Sequence, residues 1–160
     1  MQDSLQAFAE LGLGSRLKRL SEYLMKETQS VYDSLDIPFD AYLFPIFKII
    51  IDQNPVTTSE IQEQLQYTQP AVTQALKKLM LLELVDYTVD KVDKRKKKFA
   101  LTAKGETMHQ TLIPVWQAIE SQVRWLTEGT SSGLTRHLTH FEDQLREQSL
   151  STRVLNHLKR

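Results

Sequence analysis

The chain of 160 residues contains no cysteine, and it has only five glycines and five prolines. Without cysteine there can be no disulfide framework, no cysteine-based zinc ribbon and no thiol redox sensor, and a reducing compartment suits such a chain. The low glycine and proline content, together with 41% hydrophobic residues, excludes a fibrous or disordered chain and indicates an ordinary folded protein.

The chain also lacks an excess of charge and a long apolar run. Twenty Lys and Arg residues balance twenty Asp and Glu residues, so any affinity for nucleic acid must come from where the positive charges lie. The longest apolar stretch, residues 41–51, contains Pro45 and Lys48 and is shorter than the roughly 20 residues of a membrane span. The amino terminus lacks the features of a signal peptide. We therefore expect a cytoplasmic protein without a membrane partner.

Hydrophobic periodicity predicts amphipathic helices along most of the chain. Thr57 and Glu60 have the spacing of a capping box, which predicts the start of a short helix. Thr68 is a second candidate cap, and Pro70 is tolerated in the first turn of a helix that runs to about Leu82. The period then changes to two, which predicts a two-stranded ribbon. The pattern indicates a mainly α-helical fold with a small β-wing.

Two short helices followed by a ribbon indicate a winged helix-turn-helix, whose second helix can enter the major groove of DNA. Between Lys91 and Lys104 there are seven basic residues and one acidic residue, Asp93. This local excess beside the second helix favours contact with a phosphate backbone. The alternative is that these charges are a solvated hairpin tip and that the polar side of the helix simply faces water. The outward polar residues of the second helix are Gln69, Thr73, Gln74, Lys77 and Lys78.

Residues 57–105 resemble the MarR (multiple antibiotic resistance regulator) family of bacterial winged-helix regulators. TSEIQEQL and TQPAVTQALKKL look like the family's helix-turn-helix, and DKRKKKFALTAKG looks like its D-x-R wing and the LT-x-x-G start of the next helix. Gln66 stands where the family often has glycine, so we expect a positive φ there. The resemblance is closer to members fused to an acetyltransferase domain, which share segments like LGSRLKRLSEYL, FPIF, TQPAVTQ and LIPVW. We expect no acetyl-CoA chemistry, because the residues after Gly105 are filled by two helices.

The residue types and the resemblance together imply a set of DNA contacts. Amide and hydroxyl groups can bond to base edges, and lysines can reach phosphates. The resemblance implies that Arg95 enters the minor groove and that Asp93 orients it, although Asp93 has the alternative role of a turn-forming aspartate. The expected contacts on the helix are Thr68, Gln69, Pro70, Thr73, Gln74, Lys77 and Lys78. Those on the wing are Asp93, Lys94, Arg95, Lys96 and Lys97.

The helices outside the winged-helix lobe carry more apolar residues than the lobe needs to cover itself. We expect a single MarR-like domain over residues 1–160, with the lobe at 39–105 and dimerisation helices at 1–38 and 106–160. A two-fold homodimer would place its recognition helices about 34 Å apart, which implies a pseudo-palindromic operator. The alternative is an intramolecular helical cap on a monomer.

The resemblance also implies a small aromatic effector that binds between the dimer helices and the lobe and weakens DNA binding. Aromatic residues at helical spacing can instead be core. The spacing of His137, His140 and Glu142 is too weak a pattern for a metal site, so we predict neither metal nor cofactor. The candidate effector-binding residues are Tyr42, Phe44, His109 and Trp116.

The sequence therefore predicts a transcriptional regulator of double-stranded DNA. We expect no enzyme, because the chain has no glycine-rich phosphate loop, nucleophile elbow or cluster of His and carboxylates at ligand spacing. The alternative is a winged-helix protein–protein interaction module without sequence-specific DNA binding, whose basic wing meets an acidic protein. If the protein is the regulator, the variants Arg95→Ala and Lys77→Ala should lose DNA affinity without loss of fold. The interaction module does not predict this loss.

Overall fold

A computed structural model of the chain describes residues 3–90, 93–94, 96–127 and 133–159. Two 3₁₀ turns occupy Ala9–Gly12 and Ala41–Leu43. The strands are β1 (Val56–Thr57), β2 (Val85–Val89) and β3 (Lys97–Leu101). The predicted fold class, mainly α-helical with a small β-wing, is confirmed. The helices are α1 (Ser4–Ala7), α2 (Leu13–Ser34), α3 (Phe44–Asp52), α4 (Thr58–Leu65), α5 (Gln69–Leu81), α6 (Ala103–Leu126), α7 (Leu134–Glu147) and α8 (Leu150–Leu158).

The chain divides into two compact units, Met1–Leu112 and Ile113–Arg160, and the division falls inside α6. The first unit contains the winged helix, which is built on a small apolar core. Burying an aliphatic side chain of this kind stabilises a fold by roughly 1.5–3 kcal/mol, so α3, α4 and α5 hold each other in place. The buried residues of these helices are Ile46, Phe47 and Ile50 of α3, Ile61 of α4, and Val72, Leu76 and Leu79 of α5.

The apolar stretch of residues 41–51 opens with a 3₁₀ turn, and α3 begins at Phe44. Asp40 caps the 3₁₀ turn that precedes it, because its Oδ1 accepts a hydrogen bond of 2.9 Å from the backbone N–H of Tyr42. α2 is anchored here too, since the Tyr32 ring packs edge-on against Phe39 at 5.8 Å and Phe39 packs against Phe47 at 5.3 Å. The end of α2 is thus fixed to the core of the lobe.

The turn between α4 and α5 follows the expected capping chemistry. The capping box of Thr57 and Glu60 is present at the start of α4, and the Thr68 hydroxyl accepts the Ala71 N–H at the start of α5. Gln66 ends α4 with φ 53° and ψ 32°, the left-handed conformation expected for this position. These three local devices set the angle at which α5 leaves α4.

The hairpin forms part of a three-stranded antiparallel sheet in the order β1-β3-β2. The sequence pattern does not predict β1, because two residues carry no periodic signal; its Val56 pairs with Phe99. In the hairpin Val85 and Phe99 are buried, whereas Tyr87 and Val89 are exposed. The hydrophobic alternation therefore identifies the strands but reaches the core only at the base of the hairpin.

The second unit consists of the remainder of α6 with α7 and α8. α8 is capped by Ser149, whose hydroxyl accepts the Thr152 N–H at 3.3 Å. α6 ends at Leu126, and α7 begins at Leu134. In the described ranges no helix is both long and apolar enough to cross a membrane. The exposed apolar residues of α8 are Leu150, Val154, Leu155 and Leu158.

Candidate nucleic-acid interface

The polar side of α5 forms a continuous exposed surface, which we call the recognition face. Pro70 lies in the first turn, where its missing N–H leaves no helical bond unmade. Because Val72, Leu76 and Leu79 are buried on the opposite side, these polar side chains are turned away from the core. The recognition face consists of Gln69, Pro70, Thr73, Gln74 and Lys77, which line one shallow depression.

The wing is the hairpin of β2 and β3, and Asp90 directly follows β2. The Asp90 Oδ1 accepts the backbone N–H of Asp93 at 2.9 Å, and its Oδ2 lies 2.7 Å from the Lys98 Nζ. The Asp90 N–H in turn donates to the Lys96 carbonyl at 2.9 Å. Hydrogen bonding to Asp90 raises the pKa of Lys98 above its usual value. Lys98 is therefore engaged within the wing, and Asp90 contacts β3 through this ion pair.

The other predicted wing residues are placed as follows. Lys94 and Lys96 are exposed, and the Lys96 N–H closes a turn by donating to the Asp93 carbonyl at 2.8 Å. The two alternative roles of Asp93, orienting Arg95 and forming a turn, stay open. Arg95 lies outside the described residues, so its minor-groove role and its orientation by Asp93 stay predictions.

The recognition face and the wing meet in a groove of about 370 Å³. Lys77 of α5 lines it together with Lys96 and Lys97, which lie some twenty residues further along the chain. Gln69 and Thr73 line the same groove and supply amide and hydroxyl groups. Three ammonium groups beside neutral hydrogen-bonding side chains suit a polyanion that also offers donors and acceptors.

Two contacts hold this groove in shape. The Lys97 Nζ lies 3.8 Å above the centre of the Tyr87 ring, and that ring packs against Phe99 at 5.8 Å. On the other side, hydrogen bonds from the Thr57 hydroxyl and backbone N–H lower the pKa of Glu60, with smaller contributions from Lys98 and Lys96. The buried Phe99 thus supports the Tyr87 ring beneath Lys97, and the ionised Glu60 carboxylate is held in its cap on the other side.

Lys78 lies on a different side of α5 from Lys77, about 100° around the helix. Its Nζ is 3.1 Å from the Oδ2 of Asp40, just before the 3₁₀ turn. Both residues line a large open cavity of about 920 Å³ that also includes Gln29 and Met25 of α2. Sequence reasoning groups Lys78 with the DNA contacts, whereas the structure brings it to a carboxylate 38 residues away.

The candidate effector residues are not all brought together. Tyr42 is 64% exposed and lines the 920 Å³ cavity, whereas Phe44 is not among the described residues around it. His109 and Trp116 lie on α6, on either side of the division at Leu112. A role for these four residues as one site stays a prediction.

The LT-x-x-G segment joins the wing to α6 through a very close backbone approach. The Thr102 hydroxyl donates to the Glu83 carbonyl at 2.6 Å and accepts the Gly105 N–H at 3.0 Å. A Cβ at Gly105 would lie 2.0 Å from the Leu84 carbonyl oxygen. This gives the motif a physical reason: the threonine caps α6, and only glycine lets α6 approach the base of the wing.

Residues 46–96 match a family model described as the MarR family. The matched segment begins in α3 and includes α4, α5 and β2. Over this segment the winged helix is similar to the MarR family. A comparison with curated protein sequences found no significant match.

Solved structures of MarR proteins share this fold at low sequence identity. A mutant Escherichia coli MarR complexed with operator DNA has a TM-score of 0.69 and 20% identity, and the match covers 86% of this chain and 97% of that one. A MarR/EmrR family regulator from Acinetobacter has a TM-score of 0.72 and 17% identity, with 85% and 96% covered.

A third similar structure is that of Bordetella bronchiseptica BpsR, a protein whose DNA binding is described as regulated by 6-hydroxynicotinic acid. Its TM-score is 0.60 at 14% identity, over 81% of this chain and 98% of that one. The Acinetobacter structure is described as that of a transcriptional regulator, and none of these three structures is described as an enzyme. In the described residues, no group of three or more His, Asp or Glu side chains could hold a metal ion.

Sequence reasoning about the winged helix missed two acidic residues, Asp40 and Asp90. Asp90 directly follows β2, and the period-two pattern predicts it only as an alternating polar residue of the ribbon. Asp40 precedes an apolar segment and gives no sign of a partner on α5. An N-cap position before the Tyr42 N–H was the one local signal for Asp40.

Proposed function

We propose that this protein is a transcriptional regulator that binds double-stranded DNA through the recognition face of α5 and through the wing. The observation that carries the proposal is the shared groove, in which Lys77 of α5 meets Lys96 and Lys97 of the wing. In a chain with no net charge, this local concentration of ammonium groups is the electrostatic footprint of a phosphate backbone.

The dimensions of α5 suit the major groove. Its 13 residues give a length of about 20 Å. Its first turns present Gln69, Thr73 and Gln74 to the outside, where amide groups can bond to two edge atoms of an adenine and a hydroxyl group can bond to several bases. Lys77 follows one turn after Thr73 and would reach a phosphate or a guanine. Sequence readout is thus assigned to the start of the helix and backbone contact to its later part and the wing.

We further propose a homodimer that binds a pseudo-palindromic operator. In the first unit α2 exposes Leu20, Tyr23 and Leu24, and in the second unit α7 exposes Leu134 and Phe141. Exposed apolar stripes of this kind mark an interaction surface, and two-fold pairing is the commonest way to cover them.

The 920 Å³ cavity beside Tyr42 supports the further proposal of a small aromatic effector. The change that this effector causes in DNA affinity would equal the difference in its own affinity for the DNA-bound and the DNA-free protein. These roles would place the protein in the cytoplasm, on the nucleoid when bound to DNA.

The test is selection of bound sequences from a random duplex library, followed by fluorescence anisotropy of the enriched site at several salt concentrations. We expect a pseudo-palindrome and a steep fall of affinity with salt. Lys77→Gln should lower the affinity and reduce the slope of log affinity against log salt by about 0.9 for each phosphate that the side chain neutralises in the wild type.

The matched control is Lys18→Gln, which removes the same charge from an exposed site on α2, and it should leave the slope unchanged. Steep salt dependence without an enriched site would contradict sequence readout. Absence of DNA binding, with capture of an acidic protein from nuclease-treated lysate, would favour the interaction module instead.

A further inference from the structure

The segment around Asp40 is held rigidly between α2 and α5. The Gln29 side chain of α2 clamps it from both sides: its Nε2 donates to the Phe39 carbonyl at 3.2 Å and its Oε1 accepts the Ala41 N–H at 2.9 Å. Phe39 and Ala41 are both buried. Asp40 therefore stands between two fixed, buried neighbours, and the position of its backbone is set before any partner binds.

The carboxylate of Asp40 is fixed as well as its backbone. One oxygen accepts the Tyr42 N–H at 2.9 Å, which leaves the other oxygen aimed at the Lys78 ammonium at 3.1 Å. Exposed ion pairs generally contribute little, partly because two flexible side chains must be ordered. Here only the lysine has to be ordered, so less side-chain entropy is lost when the pair forms, and the pair connects two elements that are distant in sequence.

We infer that Asp40 and Lys78 are positioning residues that set the orientation of α5 relative to α2. Lys78 then serves DNA binding through Asp40 and not through a phosphate, which differs from the role that the sequence predicts for it. The connection runs from Gln29 of α2 through residues 39–41 to the recognition helix. This inference rests on the proposed function, since DNA affinity is one of its two readouts.

Two single variants separate the two roles of Lys78, because the roles predict opposite signs. Asp40→Asn removes the charge but keeps an oxygen that can cap the turn. If the pair positions α5, Asp40→Asn and Lys78→Gln should each lower DNA affinity severalfold without changing the salt slope, and the double variant should bind no worse than either one. If Lys78 contacts a phosphate, Asp40→Asn should raise affinity, and Lys78→Gln should lower the salt slope by about 0.9.

The matched control is Asp52→Asn, which removes the same charge from a pair with Lys48 inside α3. That pair joins no two elements, so the loss of negative charge should leave the affinity unchanged or slightly higher. The positioning role is supported if Asp40→Asn lowers the DNA affinity and Asp52→Asn does not. Equal behaviour of the two variants overturns it.

A second readout needs no DNA. The chain has no native cysteine, so Glu27→Cys on α2 and Thr73→Cys on α5 can carry a pair of spin labels without background. In labelled chains diluted with unlabelled chain, Asp40→Asn and Lys78→Gln should shift or broaden the distance distribution, whereas Asp52→Asn should not. An unchanged distribution in all variants overturns the inference. If the wild-type protein binds no DNA, the proposed function fails, but the distance measurement still decides the positioning role.

Discussion

Replacing Gly105 with alanine should destabilise the protein strongly. Gly105 is buried in the first turn of α6, where the added Cβ would lie 2.0 Å from the Leu84 carbonyl oxygen and 3.0 Å from the carbonyl carbon. That carbonyl cannot rotate away freely, because it accepts the Thr102 N–H at 3.1 Å. The Leu84 N–H is bonded as well, to the Leu79 carbonyl at 3.0 Å. The backbone on both sides of the clash is therefore tied to the lobe.

The magnitude follows from the distance that must be opened. An ordinary contact begins at 3.4 Å, so α6 and the strand base would have to separate by about 1.4 Å. Overpacking of this kind costs about 1–3 kcal/mol. Loss of the hydrogen bond between Thr102 and Leu84 would add about 1 kcal/mol. Since alanine in a helix regains about 0.5–1 kcal/mol over glycine, we expect Gly105→Ala to lower the free energy of unfolding by about 1–3.5 kcal/mol.

The assay is urea unfolding followed by circular dichroism at one fixed protein concentration, because association would otherwise shift the midpoint. Gly14→Ala is the matched control: Gly14 lies in α2, and a Cβ built there meets nothing within 4 Å. It should leave stability unchanged or raise it by about 0.5 kcal/mol. A Gly105→Ala protein within about 0.5 kcal/mol of the wild type would refute the close-approach explanation of the LT-x-x-G motif.

Two further predictions concern the helix-turn-helix. Gln66→Gly should raise the free energy of unfolding by about 0.5–1 kcal/mol, because glycine adopts φ 53° without the steric strain of a side chain; an unchanged urea midpoint would contradict this. Glu60→Ala should cost about 1 kcal/mol at pH 7 through loss of the capping box. Since the folded protein holds the pKa of Glu60 below its usual value, its contribution is present above the unfolded pKa and lost as the pH falls through the folded pKa. The two proteins should therefore converge in stability in acid, and a difference that is constant with pH would rule out this carboxylate as the source.

The features that the sequence predicts well depend on neighbours within a few residues. The capping box of Thr57 and Glu60, the Thr68 cap and the positive φ of Gln66 each involve one turn of chain, so residue type and spacing determine them. The buried side of α5 follows from helical period alone. The strands of the hairpin are predicted too, whereas β1 is not, since its pairing with β3 depends on residues some forty positions away.

The surroundings of Lys78 also depend on residues that are distant in sequence, so its residue type does not reveal them. Lys77 and Lys78 are identical side chains at adjacent positions, and composition gives no reason to separate them. Their different surroundings arise because one helical step turns Lys77 toward the wing and Lys78 toward Asp40, whose position depends on Gln29 and on the aromatic packing of Tyr32. A basic residue on a recognition helix can therefore serve DNA binding in two ways, by contacting a phosphate or by fixing the helix that contacts it. The sign of the effect of Asp40→Asn on DNA affinity decides between these two roles for Lys78.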